Sequence, residues 1–128
     1  MIDVSPSNYY FYRDKERKMR ILLAEDNRIN AKVTKLFLTK MGHSTDVAVN
    51  GREVLHALEH RPFDVVLMDL EMPEISGTEA IETIRNGSNG RIDSRIPIFV
   101  LSAHTKDEIE ELYPDLDVTG FIHKPLDK

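Results

Sequence analysis

The sequence predicts an α/β protein built on a single doubly wound parallel sheet, and three observations carry that expectation. Short, continuously apolar runs recur along the chain, as strands buried on both faces require. Amphipathic stretches of helical period separate those runs. Residues spaced as helix-capping boxes stand just before three of the stretches. Strand and helix alternating in this way give a parallel sheet with right-handed crossovers and helices on both faces.

The elements follow in order. Ile21-Leu22-Leu23-Ala24 is the first strand. Ile29, Val33, Leu36, Phe37 and Met41 fall at helical spacing, and Gly42 follows as a C-cap. Thr45 to Val49 is a weaker strand signal, and Val54, Leu55 and Leu58 mark a second helix. Val65-Val66-Leu67-Met68 is a continuously apolar strand and the expected centre of the sheet. Ala80, Ile81 and Ile84 mark the third helix, Ile98-Phe99-Val100-Leu101 the fourth strand, and Ile109 with Leu112 a short, acidic fourth helix. Gly120-Phe121-Ile122 closes the series. The capping pairs are Asn50 with Glu53, Ser76 with Glu79 and Thr105 with Glu108. Residues 1–18 show no apolar period and read as an N-terminal tail or linker ahead of a domain spanning 19–128. Tyr9 to Tyr12 are expected to pack over an apolar face of the sheet or over a neighbouring molecule.

Composition narrows the function. The 128 residues suit one domain, and 41% apolar with 30% charged residues is a globular balance. Without cysteine, zinc–thiolate sites and thiol catalysis are excluded. No apolar run approaches the roughly 20 residues that span a bilayer, and the start lacks the features of a secretory signal. A cytoplasmic setting and no membrane contact are therefore expected. The 22 acidic residues exceed the 17 Lys and Arg, and aromatics are only 7%, so no nucleic-acid binding is expected.

Open parallel sheets bind ligands outside the carboxyl ends of their strands. Glu25 and Asp26 directly follow the first strand, Asp69 the third and Ser102 the fourth, while Lys124 lies near the end of the fifth. Singly, each has an ordinary explanation as a cap, a turn or a solvated surface group. Together they place three carboxylates at one edge, where mutual repulsion is tolerated when a cation fills the gap. Oxygen donors with no His or Cys nearby suit a hard ion, Mg²⁺ above all. Mg²⁺ beside a lysine and a hydroxyl is a phosphoryl-binding arrangement. No Walker-type loop is present, so a carboxylate nucleophile is the remaining acceptor, and Asp69 is the best placed.

These residues resemble the receiver (response-regulator) domain of two-component signalling from about Met19 to Lys128. The motifs are Ile21 to Asn27, Val65 to Pro73, Leu101-Ser102-Ala103 and Lys124-Pro125, in order and with suitable spacing. The resemblance implies a flavodoxin-like strand order 2-1-3-4-5. It implies that Asp69 is the phosphoacceptor, charged from a phosphohistidine on a histidine kinase or histidine phosphotransfer domain. Glu25, Asp26 and Asp69, with the backbone carbonyl of Glu71, would hold Mg²⁺. Ser102 would hydrogen-bond the phosphoryl group and Lys124 would pair with it. Phe121 stands at the family's switch aromatic, Gly77 at its small residue, and Lys124-Pro125 at its cis peptide bond. Glu71 and His104 would influence the lifetime of the phosphoryl group, with plain solvent exposure an equal alternative.

Glu25-Asp26-Asn27 followed by Asn30, and the long loop Asn86 to Arg95, are similar to receivers fused to hybrid sensor histidine kinases. The chain stops four residues after Lys124, where the family continues with a fifth helix, so the expectation is either a longer protein cut here or an unusual natural one. An output domain or a homodimer partner is then possible in the parent protein, as is a stand-alone regulator. Two other classes stay open: a Mg²⁺-dependent phosphohydrolase with an aspartyl nucleophile, for which Glu71 is suitably placed, and a receiver-like module that works without phosphorylation. His43, His56, His60 and His123 show no metal spacing and read as surface histidines.

Overall fold

The computed structural model describes residues 18–70, 72 and 75–124. Five strands, β1 (Arg20–Ala24), β2 (Ser44–Ala48), β3 (Val65–Asp69), β4 (Ile98–Ser102) and β5 (Gly120–His123), alternate with four helices. The helices are α1 (Arg28–Lys40), α2 (Gly51–His60), α3 (Gly77–Arg85) and α4 (Lys106–Leu112). The strands are all parallel, in the order β2-β1-β3-β4-β5. The expected doubly wound sheet, its order and the central place of β3 are therefore present. Residues 1–17 and 125–128 lie outside the described residues, and with them the tail, its aromatics and Pro125.

The continuous apolar runs are explained by the two cores they face. Alternate residues Leu22, Ala24, Val66, Met68, Ile98 and Val100 meet Val54 and Leu58 of α2, Ala80, Ile81 and Ile84 of α3, and Ile109 of α4. The intervening residues Ile21, Leu23, Val65, Leu67, Phe99 and Leu101 form the second core with Ala31 and Leu38 of α1. A strand with a helix layer on each side has no polar face to offer, so the period-2 alternation vanishes.

Local signals set the helix ends. Ser76 with Glu79 and Thr105 with Glu108 form complete capping boxes. Asn50 accepts from Glu53 N–H, but the Glu53 carboxylate reaches the N–H of Val49 instead of that of Asn50. At the end of α1, Gly42 has φ +95, with Gly42 N–H bonded to Thr39 O and His43 N–H to Leu38 O. That pair of bonds is the Schellman arrangement, in which the left-handed residue is best a glycine.

Two expectations need correction. The apolar residues that mark α1 in the sequence are largely not the ones it buries: Ile29 is 74% exposed, Leu36 57% and Val33 44%. The buried residues of α1 are instead Ala31 and Leu38, with Phe37 half-buried against the same core, leaving Ile29, Val33 and Leu36 as an outer apolar row. His43 is not a surface histidine. Its ring is buried where α1 hands over to β2, and Nδ1 accepts the N–H of Met19, which leaves Nε2 as the protonated nitrogen of a neutral ring. The position just after the Gly42 turn directs the ring inward, beside the Ser44 N–H to Met19 O bond that starts the β1–β2 pairing.

Arg85 ties the end of the long loop after α3 to the segment before β5. Arg85 donates through Nη1 to the carbonyls of Ser94 (2.9 Å) and Ile96 (2.7 Å), and through Nε to that of Asp117 (3.0 Å). Ile92 and Ile96 fold back into the core.

The start of α2 has no spare room. Gly51 N–H bonds to Ile75 O at 2.8 Å, and a Cβ on Gly51 would stand 2.2 Å from that oxygen. Gly90 has nothing within 4 Å of the same position. We expect Gly51→Ala to cost about 1–3 kcal/mol in denaturant unfolding, with Gly90→Ala within about 0.5 kcal/mol of the unaltered protein.

Candidate functional site

The parallel sheet brings the ends of β1, β3, β4 and β5 to one edge, and the singled-out side chains meet there. Glu25 directly follows β1, and its backbone N–H is fixed to Ala48 O at the end of β2 (2.9 Å). Asp69 is the last residue of β3. Carboxylate oxygens of Glu25, Asp26 and Asp69 lie within 4.8 Å of one another. Glu25 is buried at 2% exposure, the Asp69 side chain is 15% exposed and Asp26 is exposed. The group is reachable from solvent through Asp26 and Asp69 while Glu25 closes its floor.

Lys124 partly offsets this charge. Its Nζ donates to Glu25 Oε1 at 2.8 Å and to Asp69 Oδ2 at 3.3 Å. The lysine reaches them because its own N–H bonds to Ser102 O at 2.8 Å, continuing the β4–β5 ladder one residue past the strand. Burial pushes Glu25 above its ordinary value, and the Asp69 contact adds to this. The Lys124 hydrogen bond and the Asn27 N–H to Oε2 bond (3.2 Å) oppose the rise. Burial alone would lower Lys124, but the bonds to Glu25 and Asp69 outweigh it and hold the ammonium above its ordinary value.

Among the described residues, one ammonium among three carboxylates leaves an excess of negative charge. The donors are all oxygen, two of them open to water, with no His or Cys among them. This set fits a hard divalent cation such as Mg²⁺. The fourth implied ligand, the carbonyl of Glu71, lies outside the described residues.

Ser102 ends β4 at the same edge, and its Oγ accepts the N–H of His104 at 3.0 Å. Phe121 is half-buried in β5 and packs on the core shared with α2, α3 and α4. Gly77 explains itself: a Cβ there would lie 2.3 Å from Asp69 O, so only glycine lets α3 start against the strand that carries Asp69. His104 is exposed, with Nδ1 3.8 Å from Glu108. Asn27 was legible only as part of a motif. In the structure it caps α1 by accepting from Asn30 N–H (2.9 Å) and orients Glu25 through its own N–H.

Because folded Glu25 holds a proton more readily than the unfolded chain does, its contribution to the stability of the metal-free protein falls as pH rises from the ordinary Glu value through the raised one. A divalent ion takes the ionised form, so its stabilisation grows across that same window. We expect Mg²⁺ at about tenfold its Kd to add about 1.4 kcal/mol at neutral pH, and the increment to shrink toward acid pH, read by thermal unfolding. Asp69→Asn should raise the metal-free Tm and blunt the response to Mg²⁺; a clear fall in Tm would contradict the repulsive cluster.

Residues 21–128 match the family described as response regulator receiver domain. The chain is 43% identical over 137 aligned positions to a protein named probable histidine kinase 1 from Oryza sativa subsp. indica, covering 85% of this chain and 14% of that protein. It is 39% identical over 112 positions to hybrid signal transduction histidine kinase K of Dictyostelium discoideum, covering 84% and 9%. The chain thus spans only a small part of these curated relatives. Among solved structures it is similar to the receiver domain of sensor histidine kinase PA1611 from Pseudomonas aeruginosa PAO1, described with a magnesium ion coordinated in its active site cleft. That likeness has a TM-score of 0.73 and 29% identity, and covers 85% of this chain and 87% of that one.

Proposed function

The chain belongs to the response regulator receiver domain family, and from that premise we propose that it is a phosphoacceptor switch in which Asp69 takes a phosphoryl group from a phosphohistidine. The observation that carries this reading is the meeting of Glu25, Asp26 and Asp69 within 4.8 Å, with Lys124 bonded to two of them. The domain proposed for this role spans 19–128 and acts in a cytoplasmic phosphorelay, as part of a hybrid sensor histidine kinase. Among the described residues no helix is long and apolar enough to cross a membrane.

An Asp69 carboxylate oxygen attacks phosphorus in line, the P–N bond of the donor breaks, and the imidazole leaves with its electron pair. Little covalent chemistry is asked of the protein; positioning and charge neutralisation carry the rate. Mg²⁺, when held by Glu25, Asp26 and Asp69 with the Glu71 carbonyl, supplies positive charge to the phosphoryl oxygens. Lys124 supplies a second positive charge, released from Asp69 Oδ2 as that carboxylate becomes an acyl phosphate. The Ser102 hydroxyl donates one hydrogen bond, and its movement toward the phosphoryl group makes space into which Phe121 turns. A population shift of about 1–3 kcal/mol is enough to signal this way. Residues 102–112 and 119–122 are the surface that changes.

The outer apolar row of α1 supports a place for the donor. Ile29 lies three residues after Asp26, and Val33 and Asn30 line a cleft shared with Glu25, Leu101 and Lys124. A helical phosphodonor seated on Ile29, Val33 and Leu36 brings its histidine to Asp69 from the solvent side.

Incubation with Mg²⁺ and acetyl phosphate, followed by intact mass, is expected to give a single phosphoryl adduct that is lost in Asp69→Asn. Steady hydrolysis of a phosphomonoester would instead indicate a phosphohydrolase, and no adduct would indicate an interaction module. Val33→Asp is expected to keep labelling by acetyl phosphate while lowering transfer from a phosphorylated histidine phosphotransfer domain by about tenfold or more. Equal losses with both donors would remove α1 as the docking face.

A further inference from the structure

We propose that His123 is a positioning residue for Ser102, its ring latching the turn after β4 in the resting arrangement. The inference rests on the receiver reading above. His123 is the register partner of Ser102 in the last rung of the β4–β5 ladder. Beyond that rung its Nε2 lies 2.9 Å from the carbonyl oxygen of Ala103. A carbonyl only accepts, so Nε2 carries the proton and donates.

Two more bonds act on the same turn. Lys124 N–H holds Ser102 O, and His104 N–H holds Ser102 Oγ. Residues 102 and 103 are thus tied to His123, the last residue of β5, and to Lys124 just past it, and α4 does not begin until Lys106. Ala103 has no polar side chain of its own with which to organise the turn. The ring of His123 supplies the anchor, and does so from the residue next to the lysine of the site.

On the proposed function the Ser102 hydroxyl moves toward a phosphoryl group on Asp69, and because β4 lies between β3 and β5, a turn that shifts toward β3 moves away from the His123 ring. The bond to Ala103 therefore belongs to the state that is left behind, and an interaction present in one state only sets the balance between the two. Losing it should release the turn and ease the shift. The bond is exposed, so its expected weight is at the low end for a hydrogen bond, a change of about two- to fivefold.

The test compares His123→Leu, which keeps bulk without a donor, with His123→Gln, whose amide N–H stands close to the position of Nε2. Amide hydrogen exchange of His104 in the metal-free, unphosphorylated protein reads the latch directly. Labelling of Asp69 by acetyl phosphate with Mg²⁺ reads its consequence. We expect His123→Leu to speed both by about two- to fivefold, and His123→Gln to restore both. Unchanged exchange in His123→Leu, labelling no faster than in the unaltered protein, or His123→Gln matching His123→Leu would each overturn the latch. If the unaltered protein takes no phosphoryl group, the receiver reading fails, and the exchange arm still decides whether His123 holds the turn.

Discussion

Electrostatic repulsion among carboxylates at the ends of parallel strands is the constraint on which the rest depends. Glu25 and Asp69 are carried to the same edge because β1 and β3 are neighbours with Ala24 opposite Met68. Their placement is a consequence of register, and no rearrangement of one side chain would undo it. The sheet bears this cost because its two apolar cores hold the strands regardless of what their ends carry. Lys124 offsets part of the charge through a double contact, and the remainder is what makes the edge a place for a cation.

The surrounding structure serves that edge. Gly77 lets α3 begin against the backbone of Asp69, and Gly51 lets α2 begin against Ile75, two residues ahead of Gly77. The Schellman turn at Gly42 and the buried His43 fix the handover from α1 to β2. Ala48 O at the end of β2 then holds Glu25 N–H in place. The proposed phosphoryl transfer, which aligns an attacking oxygen with phosphorus, would gain from such fixed supports. The turn after β4, by contrast, is held by a few bonds that can be exchanged, which is what a switching segment requires.

Much of this was legible in the sequence, for identifiable reasons. Continuous apolar runs such as Val65–Met68 announce strands covered on both faces, and the chemistry sits immediately after them, so Glu25, Asp26 and Asp69 could be placed at one edge before any coordinates. The outer row of α1 was not legible: Ile29, Val33 and Leu36 have the helical period of a buried face, and only packing shows that Ala31 and Leu38 take that position. His43 was missed because a lone histidine after a glycine carries no sign of the backbone N–H it will accept from 24 residues earlier. Arg85 and His123 act on carbonyls distant in sequence, and carbonyls are the same at every position.

On the proposed function, the carboxylates of Glu25, Asp26 and Asp69, carried by two strand ends, form one cation site around the proposed phosphoacceptor Asp69. Titrating Mn²⁺ into isotopically labelled protein and following paramagnetic broadening of amide resonances tests it most directly. The first signals lost are expected to be those of residues 25–27, 69–70 and 124, with recovery in excess Mg²⁺. Broadening centred elsewhere, or none at these positions, would contradict it.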